Sequence, residues 1–253
     1  MFFRESPRRT VCLYVVAACL TVVCAAAAGV FTGVLPVRVL MDADAVPAVP
    51  VFILDPGHGG EDGGAVAEDG TMEKDLNLEI SLTMGELADF LGYPTVLTRH
   101  TDEMLYDRYD DLIDYDGKKK TYDLRNRLRY AEESGGAVFC SIHMNKFPSP
   151  SCKGLQVYYG PEAEASKSCA AVLQSFTRTF LDAGNKREIK KADSSIYLLH
   201  RIRMPAVLVE CGFLSNPEEC ALLNTSAYRR KTAAVLITAL AEGIEAGITN
   251  RES

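Results

Sequence analysis

The chain has 253 residues, of which 47% are hydrophobic and 24% are charged, and its formal net charge at pH 7 is −7. This length and apolar content are sufficient for a sizeable hydrophobic core, in one domain or two small ones. The acidic balance argues against a nucleic-acid partner, because a polyanion is bound by a basic face.

The amino-terminal part combines a basic flank with an apolar stretch. Residues 1–9 carry three arginines and one glutamate, whereas residues 10–37 contain no charged side chain. This pattern predicts a membrane segment over residues 10–37, with residues 1–9 as its cytoplasmic flank. Three forms fit it: an uncleaved anchor, a signal peptide cleaved near residues 25–28, and a lipidated Cys19. All three place the rest of the chain outside the cytoplasm.

After a linker over residues 38–50, strand and helix patterns alternate through a single domain over residues 51–248. Short apolar runs predict the strands VFILD (51–55), TVLTR (95–99), AVFCSIH (137–143), LQVYY (155–159), IYLLH (196–200) and AVLVEC (206–211). Apolar residues at helical spacing predict helices near residues 75–91, 124–133, 165–180 and 228–245. This alternation predicts an α/β fold with a mostly parallel, twisted sheet flanked by helices on both faces.

A glycine-rich turn follows the first strand in LDPGHGGEDGGA, and it contains His58. It lacks the Lys-Ser or Lys-Thr of a P-loop, and its spacing does not match the dinucleotide fingerprint. Glu61 and Asp62 would also repel a phosphate. These features favour a metal-bound substrate over a phosphate, and the glycines would leave room for that substrate to approach closely.

Ionisable residues follow or end three of the predicted strands, namely His58, His143 and Glu210. Ligands bind at the carboxyl ends of parallel strands, so we expect these residues to meet there with Glu73, which lies where a helix leaves the same edge. Two histidines and a carboxylate form a catalytic zinc set that keeps a fourth position for water, and a second carboxylate could accept a proton from that water. His200, which ends IYLLH, competes as a ligand by the same argument. Manganese and iron also accept such ligands.

Four segments in order resemble the zinc-dependent N-acetylmuramoyl-L-alanine amidases of the type 3 family: LDPGHGGEDGGA, EKDLNLEI, SIHMN and PAVLVECGFLSNPEE. The resemblance extends over about residues 51–246. It implies one zinc ion per chain with His58, Glu73 and His143 as its ligands. It also implies Glu210 as the catalytic carboxylate and Asn145 as a residue near the substrate.

The reaction implied by the resemblance is hydrolysis of the amide bond between N-acetylmuramic acid and L-alanine, with Glu210 carrying the proton to the leaving amine. The implied substrate is peptidoglycan, as glycan strands with their stem peptides. Because the sequence contains no recognisable wall-binding module, we expect targeting to depend on the membrane segment or on a further partner, a regulatory or targeting protein.

Two segments, KKADSSIYLLHRIRMPAVLVE and FLSNPEECALL, are similar to those of sporulation amidases that act on cortex peptidoglycan. This similarity implies a location in the forespore envelope and a step that precedes muramic-δ-lactam formation. His200 stands where many family members carry arginine, so no substrate contact is inferred for it. Two rival functions stay open: a zinc carboxypeptidase or endopeptidase that acts on stem peptides, and a wall-binding protein without catalysis.

Overall fold

A six-stranded sheet forms the centre of the computed structural model, which describes residues 49–109, 118–161 and 164–249. The strands are β1 (Phe52–Pro56), β2 (Thr95–Leu97), β3 (Val138–Asn145), β4 (Gln156–Tyr159), β5 (Lys190–Lys191) and β6 (Ala206–Phe213). The helices among the described residues are α1 (Glu73–Leu91), α2 (Lys119–Glu133), α3 (Glu164–Phe180), α4 (Tyr197–Arg201), α5 (Pro217–Leu223) and α6 (Ser226–Thr249).

The predicted basic flank over residues 1–9 and the predicted membrane segment over residues 10–37 lie outside the described residues, as does most of the predicted linker. In the part of the chain that is described, no helix has both the length and the apolar character needed to cross a membrane.

The strands follow the order β2-β1-β3-β6-β4-β5 across the sheet. The first four are mutually parallel, whereas β4 pairs antiparallel with β6 and parallel with β5. The predicted α/β class is confirmed, but the sheet is mixed, because two strands at one side run against the other four. The connection between β3 and β4 explains this direction: residues 146–155 contain no helix, and a parallel return needs a longer crossover.

Helices cover both faces of the sheet, as the sequence predicts. The larger core lies between one face and helices α1, α3 and α6, and it includes Ile80, Leu173 and Leu240. The smaller core on the other face packs α2 and α4 against the strands and includes Phe139 and Leu199. Burial on both faces explains why the central strands read as continuous apolar runs.

The segment IYLLH was expected to be a strand, and that prediction is wrong because four of its five residues lie in helix α4. Just before the helix, the backbone N–H and the hydroxyl of Ser195 both donate to Asp193 Oδ1. The backbone N–H groups of His200 and Ile202 then bond four residues back, as in a helix. A short apolar run does not distinguish a strand from a buried helical turn.

A buried ion pair connects β1 with α2, near the carboxyl end of β1. Arg127 Nη1 lies 2.8 Å from Asp55 Oδ1, and Arg127 Nε lies 2.8 Å from Asp123 Oδ2. The hydroxyls of Thr98 and Ser141 also donate to the Asp55 carboxylate. Burial by itself would raise the pKa of Asp55, but Arg127 and the two hydroxyls hold it below its usual value.

This ion pair should make the fold sensitive to acid. Because the pKa of Asp55 is lower in the folded state, the pair stabilises the fold above the unfolded pKa of about 3.9, and this contribution is lost as the pH falls through the folded value. We expect Asp55→Asn to lower the free energy of unfolding by about 3 kcal/mol at pH 7, because Arg127 loses one buried partner. The difference from the unmodified chain should shrink as the pH is lowered from 7 to 3.

Urea unfolding at several pH values measures this difference. Asp89→Asn is the matched control, because Asp89 is an exposed aspartate near the end of α1. A loss of stability for Asp55→Asn that is constant from pH 7 to pH 3 would contradict the expected linkage.

Candidate active site

Three of the predicted site residues converge at the carboxyl edge of the sheet. His58 follows β1, His143 lies on β3, and Glu73 is the first residue of α1. Glu73 Oε1 is 3.2 Å from His58 Nε2 and 2.9 Å from His143 Nδ1. One ligand atom from each side chain lies within 4.8 Å of the other two, so these three form a group that could hold a metal ion. His200 is on α4 and does not belong to this group.

The geometry of the group fits a catalytic metal. Two imidazole nitrogens and one carboxylate oxygen are the donor set of a zinc site with an open position. In a tetrahedral site with bonds of about 2.0–2.2 Å, ligand atoms lie about 3.4 Å apart. The distances from Glu73 Oε1 to His143 Nδ1 and to His58 Nε2, 2.9 and 3.2 Å, are close to that value.

Charge at the group also favours a bound cation. Burial by itself would lower the pKa of His58, but hydrogen bonds to Asp62 and Glu73 raise it to about 9. Burial would raise the pKa of Glu73, yet the two histidines hold it below its usual value. The same carboxylates that hold a proton on His58 would attract a metal ion in place of that proton, because a metal-ligating histidine must be neutral.

The carboxylate of Glu73 is fixed by backbone N–H groups as well as by the histidines. Ala65 N donates to Oε2 at 2.7 Å, and Met144 N donates to Oε1 at 3.0 Å. Met144 lies beyond the last register pair between β1 and β3, which is Pro56 with Ile142. Because β1 has ended at this point, the N–H group of Met144 is available to the candidate metal ligand.

Two glycines of the turn make room for the group itself. A Cβ atom on Gly57 would lie 2.3 Å from His143 Nε2, and one on Gly64 would lie 2.5 Å from Glu73 Oε2. Gly64 also has a φ of 67°, a conformation that side-chain-bearing residues rarely adopt. From the sequence, these glycines were expected to leave room for the substrate. At both positions, His143 and Glu73 occupy that space instead.

Glu210 faces the group from the neighbouring strand. It is the register partner of His143, which places both side chains on the same face of the sheet. Its Oε2 atom is buried and has no hydrogen-bond partner among the described residues. Burial raises the pKa of Glu210 to about 7, against the lowering effect of His143. A carboxyl group near neutrality can both accept and donate a proton at physiological pH.

Asp62 contacts His58, and sequence reasoning did not anticipate this contact. Asp62 Oδ2 lies 2.8 Å from His58 Nδ1, the ring nitrogen that points away from Glu73. Gly59 and Asp62 exchange backbone hydrogen bonds, which folds the turn back onto His58. A carboxylate on the far nitrogen of a metal-ligating histidine fixes the orientation of its ring. The sequence signal for this contact was the position of Asp62, an aspartate four residues after His58 in the same turn.

Asn145 lies beside this group, at the end of β3. It lines an adjoining groove together with Phe147, Gln156 and Arg187. Its position near the substrate stays a prediction.

Comparison with known proteins gives matches over the same part of the chain. A model of the N-acetylmuramoyl-L-alanine amidase family matches residues 52–245. The germination-specific N-acetylmuramoyl-L-alanine amidase of Bacillus subtilis is 35% identical over 184 residues, which cover 72% of this chain and 75% of that protein.

Solved structures agree with this match. The CwlD amidase from Clostridioides difficile, solved in complex with the GerS lipoprotein, aligns with a TM-score of 0.73 and 36% identity over 78% of this chain and 99% of that one. The amidase AmiC2 of Nostoc punctiforme aligns with a TM-score of 0.62 and 29% identity over 79% of this chain and 97% of that one.

Proposed function

The chain belongs to the N-acetylmuramoyl-L-alanine amidase family, and we propose that it hydrolyses the bond between N-acetylmuramic acid and L-alanine in spore-cortex peptidoglycan. The observation that carries the reaction is the position of Glu210. Its unpartnered, buried carboxyl group lies opposite His143 on the adjacent strand. An enzyme that adds water to an amide needs a proton carrier in this place.

We assign one zinc ion to His58, Glu73 and His143. When bound, zinc acts as a Lewis acid toward a carbonyl oxygen and lowers the pKa of water. Glu210 accepts the proton of the attacking water and transfers it to the nitrogen of the leaving L-alanine. Asp62 keeps the ring of His58 in orientation, and Asn145 contacts the substrate in the adjoining groove.

The space provided by Gly64 offers a test of the ligand set that changes no ligand. In Gly64→Ala, the new Cβ would meet Glu73 Oε2 and His58 Cδ2, so we expect zinc affinity to fall by about 10- to 100-fold. Zinc content after dialysis against a weak chelator measures the effect.

Gly70→Ala is the matched control. Gly70 also has a positive φ, 90°, but a Cβ there would have no atom within 4 Å. Both variants therefore carry similar backbone strain, and only Gly64→Ala displaces the carboxylate. Equal zinc retention in the two variants would contradict the assignment of Glu73 as a zinc ligand.

Mass spectrometry of digested peptidoglycan tests the reaction. An amidase releases intact stem peptides with a free L-alanine amino group and leaves muramic acid in the glycan. A zinc peptidase would leave L-alanine on the sugar and release shorter peptides. A wall-binding protein would release neither product, so the three functions give three different patterns.

The cortex role rests on the similarity to the germination-specific amidase of Bacillus subtilis and to CwlD of Clostridioides difficile. We propose that the product is the substrate of the enzymes that form muramic-δ-lactam. Purified cortex and vegetative wall, digested side by side, test this assignment. Faster release of peptides from vegetative wall would contradict it.

A protein partner is proposed because the C. difficile relative forms a complex with a lipoprotein. If this chain has such a partner, a second protein should copurify with it in stoichiometric amount from sporulating cells. Purification of the chain alone, with full activity on cortex, would contradict the proposal.

We also propose that the catalytic domain acts outside the cytoplasm, held or exported by residues 10–37. Protease added to intact protoplasts should then digest the domain when the chain is produced in vegetative cells. Protection in intact protoplasts, followed by digestion after lysis, would place the domain in the cytoplasm instead.

A further inference from the structure

A groove adjoins the candidate active site on the side of β4 and β5. Its walls include the side chains of Asn145, Phe147, Gln156, Tyr158, Arg187 and Lys190. Gln156 is the register partner of Glu210, which is in turn the partner of His143. Directly opposed residues share a face of the sheet, so the groove continues from the catalytic residues along that face.

The guanidinium of Arg187 is held in a fixed position in this groove. Its Nε donates to the carbonyl of Lys153 at 2.7 Å, and its Nη1 donates to Gln156 Oε1 at 3.1 Å. The guanidinium carbon also lies 4.4 Å from the centroid of the Phe213 ring. These contacts are neutral, and no carboxylate among the described residues forms an ion pair with Arg187. The two hydrogen bonds leave Nη2 of Arg187 without a protein acceptor in the described part of the chain.

Burial raises the pKa of Glu219, and the charge of Arg187 acts against this rise, but the Glu219 carboxylate is engaged elsewhere. Its two oxygens accept hydrogen bonds from the backbone N–H groups of Gly154 and Phe213. Arg187 therefore keeps donors for an incoming anion, and an arginine can bind a carboxylate through two parallel hydrogen bonds.

Lys190 supplies a second cation to the groove. It is exposed on β5, and its Nζ lies 5.9 Å from the ring centroid of Tyr158, its neighbour on β4. No carboxylate is among the residues that line the groove. On the other side of the active site, by contrast, Lys119 and Lys120 already pair with Glu61 and Asp62.

A groove with two cations and no carboxylate of its own, in a chain with a net charge of −7, is suited to an anionic ligand. In peptidoglycan next to the scissile bond, the sugars are uncharged and the lactyl group of muramic acid is an amide, whereas the stem peptide carries free carboxylates. We infer that Arg187 and Lys190 bind free carboxylates of the stem peptide. This inference rests on the proposed function, and it orients the peptide along β4 and β5.

The inference predicts discrimination between two forms of one substrate. The probes are an N-acetylmuramoyl peptide with free carboxylates and the same peptide with those groups converted to carboxamides. For the zinc-loaded full chain, Arg187→Gln should raise KM for the acid form by about 10-fold, and Lys190→Gln should raise it by about threefold. In both variants kcat for either form, and KM for the amide form, should stay near the unmodified values.

Arg203→Gln is the control, because Arg203 has a 91% exposed side chain outside the groove. Equal losses on the acid and amide forms would show that the two residues only support the fold, and unchanged KM for the acid form in both variants would place the carboxylates elsewhere. Either result overturns the inference. Lys190→Gln keeps the test decisive if Arg187→Gln folds poorly, since the side chain of Lys190 makes no hydrogen bond or ion pair within the described residues.

Calorimetric titration of both probes into Glu210→Gln separates this inference from the proposed function. Tighter binding of the acid form, weakened about threefold when Lys190→Gln is added to Glu210→Gln, supports the groove whether or not the unmodified chain turns the probe over. Equal affinity for both forms rejects the groove even if the chain releases peptides with an amino-terminal L-alanine.

Discussion

Glu210→Gln should lower turnover by at least about 10²- to 10⁴-fold, the range that general acid–base catalysis typically contributes. Glutamine keeps the size of the side chain and a hydrogen-bonding group, but it neither accepts nor delivers the proton. Because Glu210 lies beside the proposed ligands and is not one of them, the variant should fold and retain zinc. Its affinity for the substrate should also change little, so the loss should appear in kcat.

Glu61→Gln is the informative comparison for this prediction. Glu61 lies in the glycine-rich turn, but its side chain is 75% exposed and pairs with Lys119. Near-normal turnover of Glu61→Gln beside the strong loss in Glu210→Gln would assign proton transfer to Glu210. Loss of zinc from Glu210→Gln would make Glu210 a ligand instead, and near-normal turnover would move the base elsewhere.

The sequence predicted the central strands well because burial on both faces leaves a clear pattern. VFILD, AVFCSIH and AVLVEC are continuous apolar runs, and they predict three of the four strands in the parallel part of the sheet. IYLLH has the same composition, but its place in a helix depends on the preceding turn at Asp193. The direction of β4, by contrast, did have a sequence signal, because the short segment between β3 and β4 has no helix for a parallel crossover.

Site residues at strand ends could be predicted for a related reason. Parallel strands end at one edge, so His58, His143 and Glu210 had to lie near one another once the strand order placed β1, β3 and β6 side by side. Spacing did not decide between these residues and His200. Only the resemblance to the amidase family did so.

Asp62 and Arg187 show what sequence patterns do not reveal. The contact of Asp62 with His58 depends on how the glycine turn closes on itself. Arg187 is held by groups from residues 153, 156 and 213, which are distant in sequence and belong to other elements. Neither residue stands out by composition or periodicity, and both act through tertiary contacts.

His143→Ala should remove most of the zinc and reduce amide hydrolysis to a level below detection. The substitution deletes one of three proposed ligands and the partner of Glu73 Oε1 at 2.9 Å, so the remaining pair no longer provides the donor set of a catalytic zinc site. Metal analysis of the purified full chain, together with product analysis of digested peptidoglycan, measures both effects.

His200→Ala is the matched control, because it removes a histidine that the sequence pattern offered as a ligand but that lies outside the group. It should keep its zinc and most of its activity. Adding excess zinc should not restore His143→Ala, whereas a chain stripped of metal by a chelator should regain activity with zinc. Full zinc occupancy in His143→Ala, with zinc loss in His200→Ala, would show that His200 and not His143 is a zinc ligand. The metal would then have to lie nearer α4, which carries His200.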